Sequence, residues 1–231
     1  MNFDALWRSF LSDQQAVLPS GLAQYSGLYL AWALVLAWGV SAFGGRWSAR
    51  LRWGAMAAVV LVTLVPGPSS PAYWLGLAFQ SPSLTSVLLA VWRVSVCARG
   101  RPMKVAVGGS RSARVVCALG VGLGWVLLVD TLAGWPVSVY AWGFSAAAVA
   151  GVALTLVLGW TVFGGARTGQ ARDVVWAIPA LALAIFVVTR WPTGNVWDAV
   201  LDPWLWVGLQ LLLLIRGLRA WRLRGAPAIR A

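Results

Sequence analysis

Residues 190–204 read RWPTGNVWDAVLDPW, a polar and tryptophan-rich stretch that lies between two long apolar runs. It holds two of the six acidic residues of the chain, three of its 17 tryptophans and one of its 18 basic residues. The apolar runs, over 174–191 and 202–221, come close to the ~20 residues that a transmembrane helix needs. The stretch therefore predicts a loop at one surface of a membrane, between two helices that cross it.

The whole chain has the composition of a membrane protein. Of its 231 residues, 60% are hydrophobic and 10% are charged, and the mean hydropathy is +0.78. Soluble domains average about 45–50% apolar and about 25% charged residues. Because the apolar residues come in blocks near the length that a bilayer requires, we predict an all-α integral membrane protein. We expect a multi-pass protein of a bacterial-type inner (plasma) membrane.

Seven apolar blocks are long enough to cross a bilayer. The third is interrupted by a polar segment over 80–83, where Pro82 would free a backbone carbonyl and bend a helix. This block therefore predicts either a kinked span or a re-entrant pair. The seven predicted spans cover residues 22–43, 53–70, 72–92, 115–135, 138–163, 174–191 and 202–221.

The basic residues set the predicted orientation of these spans. With the N-terminus outside and the C-terminus inside, 16 of the 18 basic residues fall on the inner side, and only Arg8 and Arg190 fall outside. An excess of arginine and lysine on the cytoplasmic side is the usual topology signal of membrane proteins. The acidic residues sort the opposite way, with Asp173 alone on the inner side. Residues 190–204 are therefore predicted to lie on the outer face.

Further segments are predicted within this single transmembrane domain, which covers residues 1–231. Residues 1–20 carry apolar side chains mostly on one helical face, which predicts an amphipathic interfacial helix on the outer membrane surface. A short outer-face helix is expected over 193–201, before the last span. A basic cytoplasmic tail is expected over 222–231.

The sequence also contains a short internal echo. AWGVSAFGGRWSARLRW at 37–53 resembles GWTVFGGARTGQARDVVW at 159–176. As a true repeat, this echo would make residues 22–92 and 138–221 parallel halves joined by the span over 115–135, a 3+1+3 plan found in some small transporters. A chance similarity between two membrane segments is the alternative.

Five polar residues are predicted to form a pocket on the outer face. Asp130 is the most informative, because it is the only charge in its apolar run and a carboxylate within a bilayer needs a partner. Asp198 can pair with Arg190, and Asp202 precedes Pro203 in the pattern of a helix N-cap. Solvated surface charges and helix caps are the structural alternatives. The candidate pocket residues are Asp130, Arg190, Asn195, Asp198 and Asp202.

Small and aromatic residues indicate how the helices pack. Gly120 and Gly124 form a GxxxG spacing in the fourth span, which predicts close packing against another helix, in this chain or in a partner. The tryptophans cluster near the predicted span ends, which is typical of the aromatic belts of membrane proteins. A stacking site for a sugar or quinone ring is the alternative reading of some of them.

Missing residue types exclude several chemistries. The chain has no histidine, so it has no histidine-ligated haem, no Zn–His site and no Ser–His or Cys–His nucleophile. Cys97 and Cys117 form no CxxC pair, and no ATP-binding motif is present. We therefore expect no metal and no cofactor. The arginines lie in short segments between apolar runs, which argues against nucleic acid and predicts membrane lipids and other membrane subunits as partners.

Three functions are compatible with this sequence. The favoured one is a non-catalytic subunit, or an accessory or scaffold factor, of a larger membrane assembly, because the loops are short and no catalytic constellation is visible. The first alternative is a small carrier for a lipid-linked or cationic substrate, which would need a central cavity. The second alternative is an outer-face enzyme that uses Asp130 and Asp198 as acid and base.

Overall fold

The computed structural model describes five stretches of the chain. Most of the predicted interfacial helix over 1–20 and most of the predicted tail over 222–231 lie outside them. The described stretches are residues 18–44, 47–99, 111–133, 138–163 and 171–225.

All regular structure within these stretches is helical, and no strand occurs among the described residues. In chain order the helices are α1 (Gly21–Phe43), α2 (Ala49–Thr63), α3 (Pro71–Phe79), α4 (Leu84–Ala98), α5 (Arg111–Ala133), α6 (Val139–Trp142), α7 (Ala146–Phe163), α8 (Ala171–Thr189), α9 (Val196–Val200) and α10 (Pro203–Gly225). Three of them, α1, α5 and α7, are long and apolar enough to cross a membrane. The prediction of an all-α membrane protein is thereby confirmed for the described residues.

The third predicted span, over 72–92, does not form one helix. It is divided at 80–83, where Gln80 adopts a φ of 61° and a ψ of −150° and ends α3. This region of backbone space is open almost only to glycine, so the break is fixed by the surrounding structure rather than by local preference. With nine residues, α3 is about 14 Å long and too short to cross a bilayer by itself.

The two ends of α3 contact α1 at nearly the same level. In the turn before α3, the backbone N–H of Gly67 donates to the hydroxyl of Tyr29 at 3.1 Å. Directly after α3, the carbonyl of Gln80 accepts from the indole Nε1 of Trp32 at 2.9 Å. Both ends of α3 are therefore held by side chains of α1 that are less than one helical turn apart. The remainder of the third predicted span forms α4.

The fifth predicted span, over 138–163, is also divided. The short helix α6 precedes a turn at 143–145, and α7 begins at Ala146. At the turn, a Cβ atom on Gly143 would lie 2.0 Å from Oδ1 of Asn195 and 2.4 Å from Cδ1 of Trp197. The carbonyl of Gly143 also accepts from the backbone N–H of Val196 at 3.0 Å. The break therefore allows α9 to pack directly against the backbone at Gly143.

The glycines of the GxxxG spacing face α10 of the same chain. A Cβ atom on Gly124 would lie 2.2 Å from Cδ1 of Trp206, and one on Gly120 would lie 2.7 Å from Cδ1 of Leu209. The indole Nε1 of Trp206 donates to the carbonyl of Val121 at 3.2 Å, which holds the ring in place over the glycine. Small residues thus let α5 and α10 approach closely, as expected for helices in lipid.

The bundle has two ends, which we name by their charges. The carboxylate end holds Asp130, Asp198 and Asp202. The arginine end is opposite and holds the start of α5 and the end of α7, where the hydroxyl of Ser112 donates to the carbonyl of Phe163 at 2.8 Å. The main apolar core lies toward the carboxylate end, where α8 and α9 pack against α1, α4 and α7.

We expect Gly124→Leu to destabilise the protein, because the added side chain would push α10 away from α5. Overpacking of this kind costs about 1–3 kcal/mol. The measurement is thermal unfolding in detergent micelles. Gly122→Leu is the matched control, since nothing lies within 4 Å of a Cβ atom at Gly122 and this variant should unfold close to the parent protein. Equal losses in the two variants would contradict the close contact.

Candidate functional site

Asp202 joins the starts of two helices. Its Oδ1 accepts from the backbone N–H of Leu205 at 2.8 Å, as the N-cap of α10. Its Oδ2 accepts from the backbone N–H and the hydroxyl of Ser83 at 2.9 and 2.7 Å, and from the hydroxyl of Ser86. Ser83 is itself the N-cap of α4. One carboxylate therefore lies at the positive ends of two helices, a stabilising position for an anion.

Asp130 accepts hydrogen bonds from the start of α6 in the same way. It is buried in the last turn of α5, with 6% of its surface exposed. Its Oδ1 accepts from the backbone N–H of Val139 at 2.9 Å, and its Oδ2 accepts from the N–H of Tyr140 at 2.8 Å and the hydroxyl of Ser138 at 3.0 Å. The predicted need of this carboxylate for a partner is met by backbone amides and a hydroxyl.

Tyr140 connects Asp130 to the 190–204 loop. Its hydroxyl donates to Oδ2 of Asp198 at 2.7 Å, and the hydroxyl of Thr193 donates to the same oxygen at 2.6 Å. Asn195 is fully buried as the N-cap of α9, and its Nδ2 donates to the carbonyl of Tyr140 at 2.9 Å. Asp130, Asn195 and Asp198 thus meet around one tyrosine, while Asp202 lies apart from them at Ser83.

Arg190 lies outside this group. Its guanidinium carbon sits 5.4 Å from the centre of the Phe186 ring, and its backbone, with a φ of 56°, ends α8. The suggested pairing of Arg190 with Asp198 is not among the contacts of the described residues, and Oδ2 of Asp198 accepts instead from Thr193 and Tyr140.

The surroundings of Tyr140 keep it protonated. Partial burial, followed by the hydrogen bond to Asp198 and the negative charge of that carboxylate, raises the pKa of Tyr140 well above its ordinary value near 10. The neutral phenol is therefore the stable form in the folded protein. Its hydrogen bond to Asp198 is fully present below pH 10 and is lost only as the pH rises through the raised pKa.

These contacts make the polar residues structural. Every carboxylate oxygen of Asp130 and Asp202 already accepts a hydrogen bond, and Asp198 accepts two at one oxygen. No group of three or more histidine, cysteine or acidic residues that could hold a metal occurs in the described part of the chain. The arrangement caps helices and fixes a loop, and it engages most of the carboxylate oxygens within the chain.

A cavity of about 450 Å³ lies inside the bundle, between α5 and the group formed by α4, α7 and α8. Its walls are apolar and include the small residues Ala113, Ala148 and Gly151, and Trp197 of α9 borders it at the carboxylate end. Its volume is within the range of about 300–1,000 Å³ that is usual for small-molecule sites. On α5 the lining runs over eleven residues from Ala113 to Leu123, about 15 Å of helix, so the cavity is elongated.

The cavity reaches the surface between α5 and α7. Three of its lining residues, Leu119 of α5, Trp142 of α6 and Thr155 of α7, have exposed side chains. The surrounding surface is apolar, with Val126 of α5 and Leu158 of α7 both about half exposed. In a membrane this opening would face lipid chains.

Two polar atoms at the cavity lack a partner. The hydroxyl of Thr85 and the indole Nε1 of Trp176 are buried and make no hydrogen bond within the described residues. Both residues line the cavity, and Trp176 is 1% exposed. Buried polar groups without partners are rare and costly, so each is a place where a bound molecule or water could supply the missing contact.

The sequence analysis did not identify Thr85, Trp176 or the other residues that line the cavity. The only signals were Pro179 in α8, which lines the cavity, and the small residues of α5 and α7 that face it.

We expect Asp202→Ala to destabilise the protein by at least about 3 kcal/mol, because it leaves several buried donors of α4 and α10 unpaired at about 1–3 kcal/mol each. Asp198→Ala is the matched control. Asp198 is only half-buried, so its removal should cost about 1 kcal/mol. Thermal unfolding in micelles measures both. A larger loss at Asp198 than at Asp202 would overturn the assignment of Asp202 as the joint cap.

No protein-family model, no curated protein and no solved structure matches this chain. Its function is therefore inferred from the chemistry of its own residues.

Proposed function

We propose that this protein is a non-catalytic, multi-pass membrane protein whose central cavity binds one hydrocarbon chain of a lipid or lipid-linked molecule, as a small carrier would. The observation that carries this proposal is the apolar cavity of about 450 Å³ between α5 and the helices α4, α7 and α8. Its elongated shape and apolar walls favour a chain over a polar or globular ligand.

Energetics also favour an occupied cavity. Side chains that line a space without neighbours lose dispersion contacts there, and a bound apolar molecule would restore them. Water is a poor filler, because nearly all of the lining is apolar. Lipid chains are the apolar molecules at hand, and the opening between α5 and α7 faces them.

The proposed arrangement in the membrane has seven crossing helices, with the N-terminus outside and the C-terminus inside a bacterial-type plasma membrane. The crossing helices would be α1, α2, α4, α5, α7, α8 and α10, while α3, α6 and α9 stay near the carboxylate end. The opposite placement of the described carboxylates and of Arg111 and Arg216 supports this arrangement, since basic residues are retained on the cytoplasmic side.

The alternative functions have different support. An enzyme that uses Asp130 and Asp198 as acid and base is disfavoured, because both carboxylates already accept hydrogen bonds from groups that fix helices. A subunit or accessory role in a larger membrane assembly remains the second candidate. It is favoured by α2, which packs chiefly against α1 and exposes Leu51, Trp53 and Leu61. Stable co-purification with another membrane protein after mild detergent extraction would favour it over a carrier.

We expect Gly151→Leu to weaken lipid binding. Gly151 lines the cavity, and a Cβ atom there meets only Trp142 at 3.9 Å, so a leucine side chain would fill the cavity without forcing α7 to move. The measurement is labelling of cavity residues by a phosphatidylcholine that carries a photoactivatable diazirine on one acyl chain. Gly122→Leu, on the far side of α5, should label like the parent protein. Undiminished labelling in Gly151→Leu would contradict the proposed site.

The orientation is tested with single cysteines in a background that carries Cys97→Ser and Cys117→Ala. Ser69 lies in the exposed turn after α2, and Arg219 is exposed on α10. We expect a membrane-impermeant maleimide added to intact cells to label Ser69→Cys and to leave Arg219→Cys unlabelled until the membrane is opened. The reverse pattern would show that the proposed orientation is inverted.

A further inference from the structure

We propose that the bound molecule is an anionic lipid, with its hydrocarbon chain in the cavity and the oxygens of its headgroup at Arg216, at the arginine end. This inference rests on the proposed function and deepens it, because it names the charge of the lipid and the direction in which it lies.

The packing of α5 against α10 places Arg216 level with the arginine end of the cavity, next to its lining residues. Gly120 of α5 packs against Leu209 of α10, and both residues line the cavity. The two helices run in opposite directions, so seven residues forward on α10 is level with seven residues back on α5. Arg216 is therefore level with Ala113, the lining residue of α5 nearest the arginine end. Seven residues are about two helical turns, which keeps Arg216 on the same face of α10 as Leu209.

Arg216 has a donor that nothing in the described chain satisfies. The residue is half-buried, and its Nη1 atom is buried without a hydrogen-bond partner among the described residues. Its charge also lies within electrostatic range of Cys117, another lining residue. A buried guanidinium N–H needs an acceptor, and the fork of donors on arginine matches the oxygens of a phosphate or a carboxylate.

Trp176 provides a second donor in the same half of the cavity. Its ring packs on Gly159 and stacks on Phe163, whose carbonyl accepts from Ser112 at the arginine end. The Nε1 atom of Trp176 is buried without a partner in the described residues. The unpartnered hydroxyl of Thr85 lies near the start of α4, toward the carboxylate end, and can donate or accept. The two N–H donors of Trp176 and Arg216 favour a ligand with acceptor oxygens at the arginine end and a hydrocarbon chain beyond it.

The opposite orientation is disfavoured by the carboxylate end. A headgroup at that end would approach Asp198 and Asp202, whose negative charges would repel an anion. A cationic headgroup would fit those charges, but Asp202 already accepts four hydrogen bonds from the protein. The charges of the bundle therefore favour an anionic headgroup at Arg216 over a cationic one at the aspartates.

The test compares two photoactivatable lipids that carry the same diazirine acyl chain, one with a phosphatidylglycerol and one with a phosphatidylcholine headgroup. The full-length protein in lipid nanodiscs is labelled with each, and adducts at cavity residues are counted by mass spectrometry. We expect phosphatidylglycerol to be favoured by roughly tenfold, as a charge-assisted contact would give. Arg216→Gln should bring the ratio close to one, and Arg216→Lys should restore most of the preference. The matched control, Arg219→Gln, removes an exposed charge from the same helix and should keep the parent ratio.

Trp176→Phe gives an independent reading, because it removes the second donor and keeps an aromatic ring. It should lower the ratio a few-fold, and because both probes carry the same chain, any change in cavity size cancels. Excess inorganic phosphate should not displace the phosphatidylglycerol probe, and displacement would reassign Arg216 to free phosphate.

The outcomes separate the two proposals. A ratio that is the same in the parent protein, Arg216→Gln and Trp176→Phe would overturn the headgroup assignment, while labelling of cavity residues would still support the lipid-binding function. If neither probe labels residues such as Ala148 or Val152, which line the cavity, the proposed function itself fails.

Discussion

The carboxylate end depends on one constraint, which is that a helix that begins inside an apolar bundle must find acceptors for its first backbone N–H groups. In water these groups are hydrated, but in lipid each unsatisfied group costs several kcal/mol. The chain breaks its helices at 80–83, 143–145 and 190–202, so it creates several such starts close together. Asp202 and Asp130 satisfy those of α10, α4 and α6, and Asn195 satisfies that of α9.

The acidic residues therefore stabilise the fold, and the proposed binding site lies elsewhere in the molecule. A polar pocket rich in carboxylates resembles an active site in the sequence, but here its acceptors are engaged by helix starts and by Tyr140. Among the groups that remain unsatisfied in the described residues are two N–H donors toward the arginine end, Nε1 of Trp176 and Nη1 of Arg216. These donors lie beside an apolar cavity and lack acceptors. A lipid carries acceptor oxygens on its headgroup and an apolar chain beyond it, so it matches both features.

Much of the fold could be predicted from the sequence, because length and apolar content decide where a helix can exist in a membrane. The short helix α9, the cap at Asp202 and the weak point at 80–83 all followed from local patterns of residues. The break at 143–145 and the contact of Tyr140 with Asp198 did not, since both depend on residues more than 50 positions apart in the chain. The cavity could not be predicted either, because it depends on how the helices are placed relative to one another, which no local sequence pattern reveals.

The position of the cavity follows from where the helices contact one another. In lipid there is no hydrophobic drive to press helices together, so they stay close only where polar bonds or small residues hold them. The pair α5–α10 is joined to the remaining helices at the carboxylate end through Asp130 and Tyr140, and at the arginine end through Ser112 and Phe163. Between these two connections lies the apolar cavity, whose lining includes Ala113, Ala148 and Gly151. A bound chain would supply the missing van der Waals contacts, so the same molecule that occupies the cavity would complete the packing of the bundle.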